Sequence, residues 1–186
     1  MTYIMAIDSG STGIRAVVYD KQGKIIAKEY RKTTALLPRE GWIEHEPEEL
    51  WNALLEVIKG VFSSTDISPH DIAALGICNQ RASFCLLEES TGKPLTNFIN
   101  WADVRSASTC DSMNKSKMWR ILRKAAWIGR ILGNTMLTTT TMLKFTTDMT
   151  TVRLKWALDN IEGLRERCDR KAVSYTHLTL PTTPYV

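Results

Sequence analysis

An α/β fold with a β-β-β-α-β core, a mixed sheet and flanking helices is predicted by three features of the sequence. The chain opens with three short runs of strand-forming residues, Tyr3–Ile7, Ile14–Tyr19 and Ile25–Tyr30, separated by small-residue or polar turns. Apolar residues then recur at helical spacing after Pro47. A near-continuous apolar run, Ile72–Cys78, follows after a loop at Ser63–Ser68, and it has the character of a strand buried on both faces.

The first two strands read as a hairpin closed by Ser9-Gly10-Ser11-Thr12-Gly13. Turn Asp20–Lys24 adds the third strand, giving an antiparallel meander. Pro47 suits the first helical position, and Glu48 and Glu49 favour the positive end of the helix that follows. Leu50, Trp51, Leu54, Leu55, Ile58, Val61 and Phe62 form its predicted buried face, with Trp51 in the core. Ala82–Leu87 and Leu95–Ile99 read as two further strands around Glu88–Pro94. Met118–Leu132 carries a helical stripe of Met118, Ile121, Leu122, Ala125, Ile128 and Leu132, with Arg120, Arg123 and Lys124 off it. Threonine-rich residues around Met142–Phe145 read as an ordered loop, and Thr151–Arg167 as a helix broken near Gly163.

Length and composition limit the function. The 186 residues suffice for one domain with its own core, and 44% hydrophobic with 24% charged residues is a globular balance. A net charge of +4 does not demand a nucleic-acid partner. Cys78, Cys85, Cys110 and Cys168 show no C-x-x-C spacing and no nearby histidine pair, so reduced cytoplasmic thiols are expected rather than zinc. No run is long and apolar enough to cross a membrane, and the N-terminus lacks signal-peptide features. Ser112–Thr147 holds seven lysines and arginines and no acidic residue, which reads as a solvated helix face or as contact with an anionic partner or another subunit. From Val173 the chain is uncharged and aperiodic, and VSYTHLTLPT resembles one reading frame of a transposon-type sequencing adapter. The expected division is therefore a truncated domain over 1–172 and non-native read-through over 173–186, with no role for His177.

The chemistry concentrates at the first hairpin. Glycines let a backbone approach a ligand, and exposed N–H groups with the Ser11 and Thr12 hydroxyls can donate to phosphate oxygens. Asp8, at a strand end, can hold a hard cation, and Arg15 adds a permanent positive charge. An ordinary Ser/Gly-rich turn has the same composition. The stretch is neither a Walker A loop nor a G-x-G-x-x-G turn. A second set lies beyond Ile72–Cys78, where open α/β sheets bind ligands: Asn79-Gln80-Arg81, and then Trp101-Ala102-Asp103. Trp101 can stack on a sugar or polyol face, Asp103 can accept from hydroxyls and Arg81 can donate. Taken singly, Trp101 reads better as core packing, and an Asp/Arg pair is often a surface salt bridge.

Asp8–Arg15 resembles the D-x-G-T/S-T-x-x-R opening of the ribonuclease H-like, actin and hexokinase class of ATPase lobes, and within it the FGGY carbohydrate kinases. GWIEHEPEELW, LGICNQR, TGKPLTNFINWADVR and RLKWALDNIEGLRER follow in order and resemble that family's N-terminal lobe, most of all its glycerol kinase-like branch, over nearly all of 1–172. The resemblance implies ATP- and Mg2+-dependent phosphoryl transfer to a polyol or sugar hydroxyl. It implies Ser11, Thr12, Gly13 and Arg15 at the nucleotide phosphates, Asp8 near magnesium, and Arg81, Trp101 and Asp103 at the substrate. Two positions depart from the glycerol kinase pattern: Ala82 stands for a substrate-binding glutamate and Asp148 for a tyrosine. No catalytic base is expected in this chain; base and adenine site belong, by resemblance, to a second lobe. The chain alone is thus expected to be inactive. Its expected partners are a small polyol or sugar, with no nucleic acid or membrane, and a homo-oligomer of the full-length protein. The rival class is a non-kinase nucleotide-dependent switch or scaffold of the actin-like superfamily, which would need neither NQR nor WADVR.

Overall fold

The computed structural model describes residues 2–131, 144–170 and 173–177. The threonines at 138–141 and the tail from 178 lie outside the described residues. Two compact units result, 1–101 with 170–186, and 102–169.

The first unit is built on a four-stranded mixed sheet of order β3-β2-β1-β5, with β1 Tyr3–Ser9, β2 Gly13–Tyr19, β3 Ile25–Lys32 and β5 Ile72–Asn79. β1 pairs antiparallel with β2, and β2 with β3, as the meander predicts. β1 and β5 run parallel, which requires a crossover, and helix α1, Pro47–Ser63, lies in it. Alternation along β1 sends Met5 and Ile7 to the helix side, where they pack with Ile14, Ala16 and Val18 of β2 and Leu50, Ala53, Val57 and Val61 of α1. Burying each such Leu, Val or Ile contributes roughly 1.5–3 kcal/mol. Gly60 lets the helix sit closely on β3, since a Cβ there would come within 2.9 Å of the Glu29 Cγ. Glu49 anchors the helix start by accepting from the Thr34 N–H at 2.8 Å.

Two predicted core assignments do not hold. Trp51 is 59% exposed. The buried stripe is Leu50, Ala53, Val57 and Val61, and Trp51 sits one residue, or 100°, off it. β5 is also open: Leu75 is 54% and Ile77 53% exposed. Both pair with core residues of β1 in register, but β5 is the edge of the sheet and α1 packs over β2 and β3 instead.

A second, antiparallel sheet of order β4-β7-β6-β8 completes this unit, from β4 Glu44–His45, β6 Phe84–Glu88, β7 Phe98–Ile99 and β8 Val173–His177. Phe84, Cys85, Leu86 and Ile99 are its buried apolar residues among those described, and His45 of β4 is buried with them. β4 falls in a stretch the sequence marks only as the lead-in to α1.

The second unit carries α2 Ala107–Lys115, α3 Lys117–Ile131, α4 Thr150–Asn160 and α5 Leu164–Asp169. Gly163, at φ +69°, breaks the predicted Thr151–Arg167 helix into α4 and α5. Val152, Trp156, Ala157 and Leu164 are buried here. Asn114 ties α2 to the Phe145 backbone at both its N–H and its carbonyl. No described helix is long and apolar enough to cross a membrane.

Burial pushes the Cys85 thiol up to about 12, whereas Cys78 is exposed on β5. At pH 8 the thiolate of Cys85 is therefore on the order of a thousand times scarcer than that of an ordinary thiol. Iodoacetamide should label Cys78 and spare Cys85 until the chain is unfolded. Peptide mass spectrometry showing Cys85 labelled as fast as Cys78 under native conditions would contradict this packing.

Candidate functional site

Parallel pairing puts the C-terminal ends of β1 and β5 side by side, and the ladder continues one step further as the Gln80 N–H donates to the Ser9 carbonyl at 3.2 Å. The loop after β1 and the Asn79-Gln80-Arg81 turn after β5 therefore share one end of the sheet.

The hairpin turn is closed by the Gly10 N–H donating to the Gly13 carbonyl at 3.0 Å. The Thr12 carbonyl accepts from the Tyr30 hydroxyl at 3.1 Å and from the Thr33 N–H at 3.2 Å. Tyr30 explains the glycine at 13: a Cβ there would run into the Tyr30 hydroxyl and the Arg31 carbonyl. Asp8 is exposed and stands opposite Arg15 in register, and Arg15 stands opposite Tyr30. Directly paired residues project to the same face, so Asp8, Arg15 and Tyr30 form a row across the sheet on the side away from α1. The Arg15 guanidinium lies 5.7 Å from the centre of the Tyr30 ring, and its buried Nε has no hydrogen-bond partner. An anion at the turn would supply that partner, so these residues fit the polyphosphate of a nucleotide. Asp8 offers one carboxylate to a hard cation, and no cluster of three or more His, Cys, Asp or Glu among the described residues forms a self-sufficient metal site.

Ser11 joins this turn to the second set of residues. Its hydroxyl donates to Gln80 Oε1 at 2.8 Å and accepts from the Trp101 indole Nε1 at 3.0 Å. The Trp101 N–H donates to the Ser83 hydroxyl at 2.9 Å. Asn100 Nδ2 lies 3.3 Å from Gln80 Oε1 and 3.3 Å from His45 Nε2. His45, Ser83 and Asn100 are buried, while Trp101 is half exposed. The indole is thus fixed at its N–H end, with much of its ring open to solvent. Since an amide Nδ2 only donates, His45 Nε2 must accept, which requires a neutral ring.

Arg81 is exposed on the β5–β6 turn, followed by Ala82 at φ 65°. Asp103 belongs to the second unit. It is buried and held by Arg105 Nε at 2.9 and 3.0 Å and Nη2 at 2.8 Å, with the Arg105 guanidinium 5.3 Å from the Trp156 ring centre. Asp148 is exposed, and its carbonyl accepts from Arg153 at 2.6 Å. The structure thus groups Asp8, Ser11, Thr12, Gly13, Arg15, Arg81 and Trp101 within the first unit, and Asp103 is placed in the second. Sequence reasoning assigned no role to Tyr30, His45, Ser83 and Asn100. Gln80 was marked by its place in the NQR turn.

Two measurements check this geometry. A left-handed conformation costs a non-glycine residue about 1 kcal/mol or more, so Ala82→Gly should raise the unfolding free energy by about 0.5–1 kcal/mol in urea melts, and a loss would mean the turn is unstrained. Burial lowers the His45 pKa below 6.5, with Glu49 and the Thr34 backbone acting in the opposite direction. The unfolded chain therefore takes this proton first, and stability should fall as pH drops below about 6.5 towards 5. His45→Gln should flatten that slope; an unchanged slope would assign it to other groups.

Residues 3–182 match the N-terminal domain of the FGGY family of carbohydrate kinases. The chain is 36% identical over 168 residues to a glycerol kinase of Caldanaerobacter subterraneus subsp. tengcongensis, covering 90% of this chain and 31% of that one. It is 33% identical to glycerol kinase 2 of Thermotoga maritima, covering 94% and 32%. The chain thus spans about a third of the length of the curated relatives it matches. Its fold matches the crystal structure of Plasmodium falciparum glycerol kinase with ADP at a TM-score of 0.74, with 21% identity and 95% of this chain and 32% of that chain covered. The fold is accordingly a known one, and the chain belongs to the FGGY family of carbohydrate kinases and carries its N-terminal domain.

Proposed function

We propose that this chain is the N-terminal lobe of an ATP-dependent kinase that transfers the γ-phosphate to a hydroxyl of a glycerol-like polyol or a sugar. The observation that carries the reading is the Trp101–Ser11–Gln80 chain of hydrogen bonds, which ties a phosphate-sized turn to an open aromatic face. Thr12, the main chain around Gly13, and Arg15 take the nucleotide phosphates. The Ser11 hydroxyl proton already goes to Gln80, so Ser11 contributes its main-chain N–H. Asp8 holds magnesium through the one carboxylate it offers, and bound Mg2+ supplies charge neutralisation at the phosphates. Trp101 stacks on the apolar face of the substrate and Arg81 donates to its hydroxyls. Asp103, expected at the substrate, is enclosed in the second unit with both carboxylate oxygens held by Arg105, and it is left out of the proposed substrate contacts.

The 186-residue chain is proposed not to turn over by itself, since relatives about three times its length supply further residues. Free thiols without a C-x-x-C pair support a cytoplasmic setting. Residues 173–186 are proposed as adapter read-through. The pairing of Val173–His177 with β6 is a main-chain ladder, which does not depend on side-chain identity, and sequencing the source DNA by an adapter-free method checks the boundary.

Binding is the test of the reading. Screened against glycerol, xylitol, xylulose and gluconate, the chain should be stabilised by one of them, by about 5 °C or more at a concentration 100-fold above Kd. Arg81→Ala and Trp101→Ala should each weaken that binding by about tenfold or more. No shift with any polyol or sugar, or an undiminished shift in both variants, would reject the assignment.

A further inference from the structure

We propose that Tyr30 is a positioning residue of the phosphate turn, setting the direction of the Thr12–Gly13 peptide and the place of the Arg15 guanidinium. The inference rests on the reading of residues 11–15 as the site of the nucleotide phosphates. Tyr30 lies outside that turn, on β3, and is half exposed. Its hydroxyl donates to the Thr12 carbonyl at 3.1 Å, and the Thr33 N–H donates to the same oxygen at 3.2 Å. A carbonyl oxygen has two lone pairs, and both are thereby engaged from the β3 side. In a planar trans peptide the N–H points opposite to the C=O, and no cis peptide occurs among the described residues. The Gly13 N–H is therefore directed away from β3, to the side on which the Gly13 carbonyl takes the Gly10 N–H. A flip of this peptide would turn a carbonyl oxygen into the turn, where it would repel an anion. Two hydrogen bonds on one oxygen oppose that flip more strongly than one, so the Tyr30 hydroxyl acts on an anion through Thr12.

The second contact is with Arg15, which pairs in register with Tyr30 and holds its guanidinium 5.7 Å from the ring centre. An aromatic face attracts a cation and restricts where a long side chain can lie. The buried Arg15 Nε, which has no hydrogen-bond partner, is thus kept where an anion at the turn can meet it. Gly13 and Tyr30 form a matched pair. A Cβ at 13 would run into the Tyr30 ring and hydroxyl as well as the Arg31 carbonyl. Gly13 does not have a positive φ, so space rather than backbone conformation calls for glycine there. The close approach that this glycine permits brings the hydroxyl within reach of Thr12 and the ring within reach of Arg15.

Calorimetric titration of the 186-residue chain with tripolyphosphate in the presence of Mg2+ tests this, since the adenine site belongs, by resemblance, to another lobe. Tyr30→Phe keeps the ring and loses the hydroxyl, and should weaken binding about threefold. Tyr30→Leu loses both and should weaken it about tenfold. An Arg15→Gln background separates the two contacts. There the loss of the hydroxyl should still cost about threefold, whereas the further loss of the ring should cost less than about twofold, because the ring acts through Arg15. A role confined to hairpin stability would lower the urea midpoint and leave the affinity of the folded chain unchanged. Far-UV circular dichroism with retained Cys85 protection confirms that the variants fold. Unchanged affinity in both Tyr30 variants, or a ring effect that persists in full without Arg15, overturns the proposal and leaves the phosphate reading of the turn standing. Failure of the wild-type chain to bind tripolyphosphate overturns that reading and the proposal with it.

Discussion

Because β1 and β5 run parallel, the turn after one and the turn after the other must lie at the same end of the sheet. The rest of the first unit depends on that constraint. A parallel pair needs a crossover long enough to return the chain to its starting edge, and α1 with its stripe of Leu50, Ala53, Val57 and Val61 provides it while burying the helix side of β1 and β2. Residues 8–15 and 79–81 are far apart in sequence and become neighbours only through this pairing. The Gln80 N–H, which extends the ladder onto the Ser9 carbonyl, is the point where sheet structure passes into site structure.

From Gln80 the order is carried by side chains. Ser11, Trp101, Asn100 and His45 form one hydrogen-bonded set that runs from the hairpin turn into the second sheet. Its inner members are buried, so an unmet donor or acceptor would cost about 1–3 kcal/mol, against a net contribution of about 0.5–1.5 kcal/mol from a typical bond. That asymmetry favours a single arrangement of the turn. It also explains why a histidine is tolerated in the interior: burial keeps it neutral, and a neutral Nε2 is the acceptor that Asn100 needs. The turn is thus ordered from behind while its ligand-facing side keeps the Thr12 side chain exposed and the Arg15 Nε unpaired.

Much of this was legible in the sequence where the signal is local. Two glycines and two hydroxyl residues between β-forming runs mark the hairpin, and Pro47 with two glutamates marks the start of α1. Motif order was enough to identify the family. What was not legible depends on partners distant in sequence. Trp51 matches the helical period loosely, and only the position of the sheet decides that Ala53 and Val57 face inward instead. β5 reads as a doubly buried strand because its residues are apolar, yet burial is set by its neighbours, and it stands at an edge. His45 and Asn100 fall inside the family motifs and Ser83 outside them, but no local pattern marks any of the three for a role. They gain their roles because β4, β6 and β7 pair, and β4 and β7 are only two residues long each.

Exposed apolar surface has a different meaning in the two units. In the first, Leu75 and Ile77 extend a core that already exists: they are in register with Met5 and Ile7, on an edge whose main-chain groups are also open. Such a surface asks for another strand and a covering layer, both β-sheet chemistry. In the second, Met118, Ile121 and Leu122 belong to a helix that has already used another face to pack, and Arg120 and Arg123 lie on the side of the helix away from them. Whatever covers β5 must match a hydrogen-bonding ladder and an apolar face. Whatever covers the α3 stripe must match an apolar face and need match no ladder. The two surfaces therefore make different demands: the β5 edge needs main-chain pairing as well as apolar cover, and the α3 stripe needs apolar cover alone.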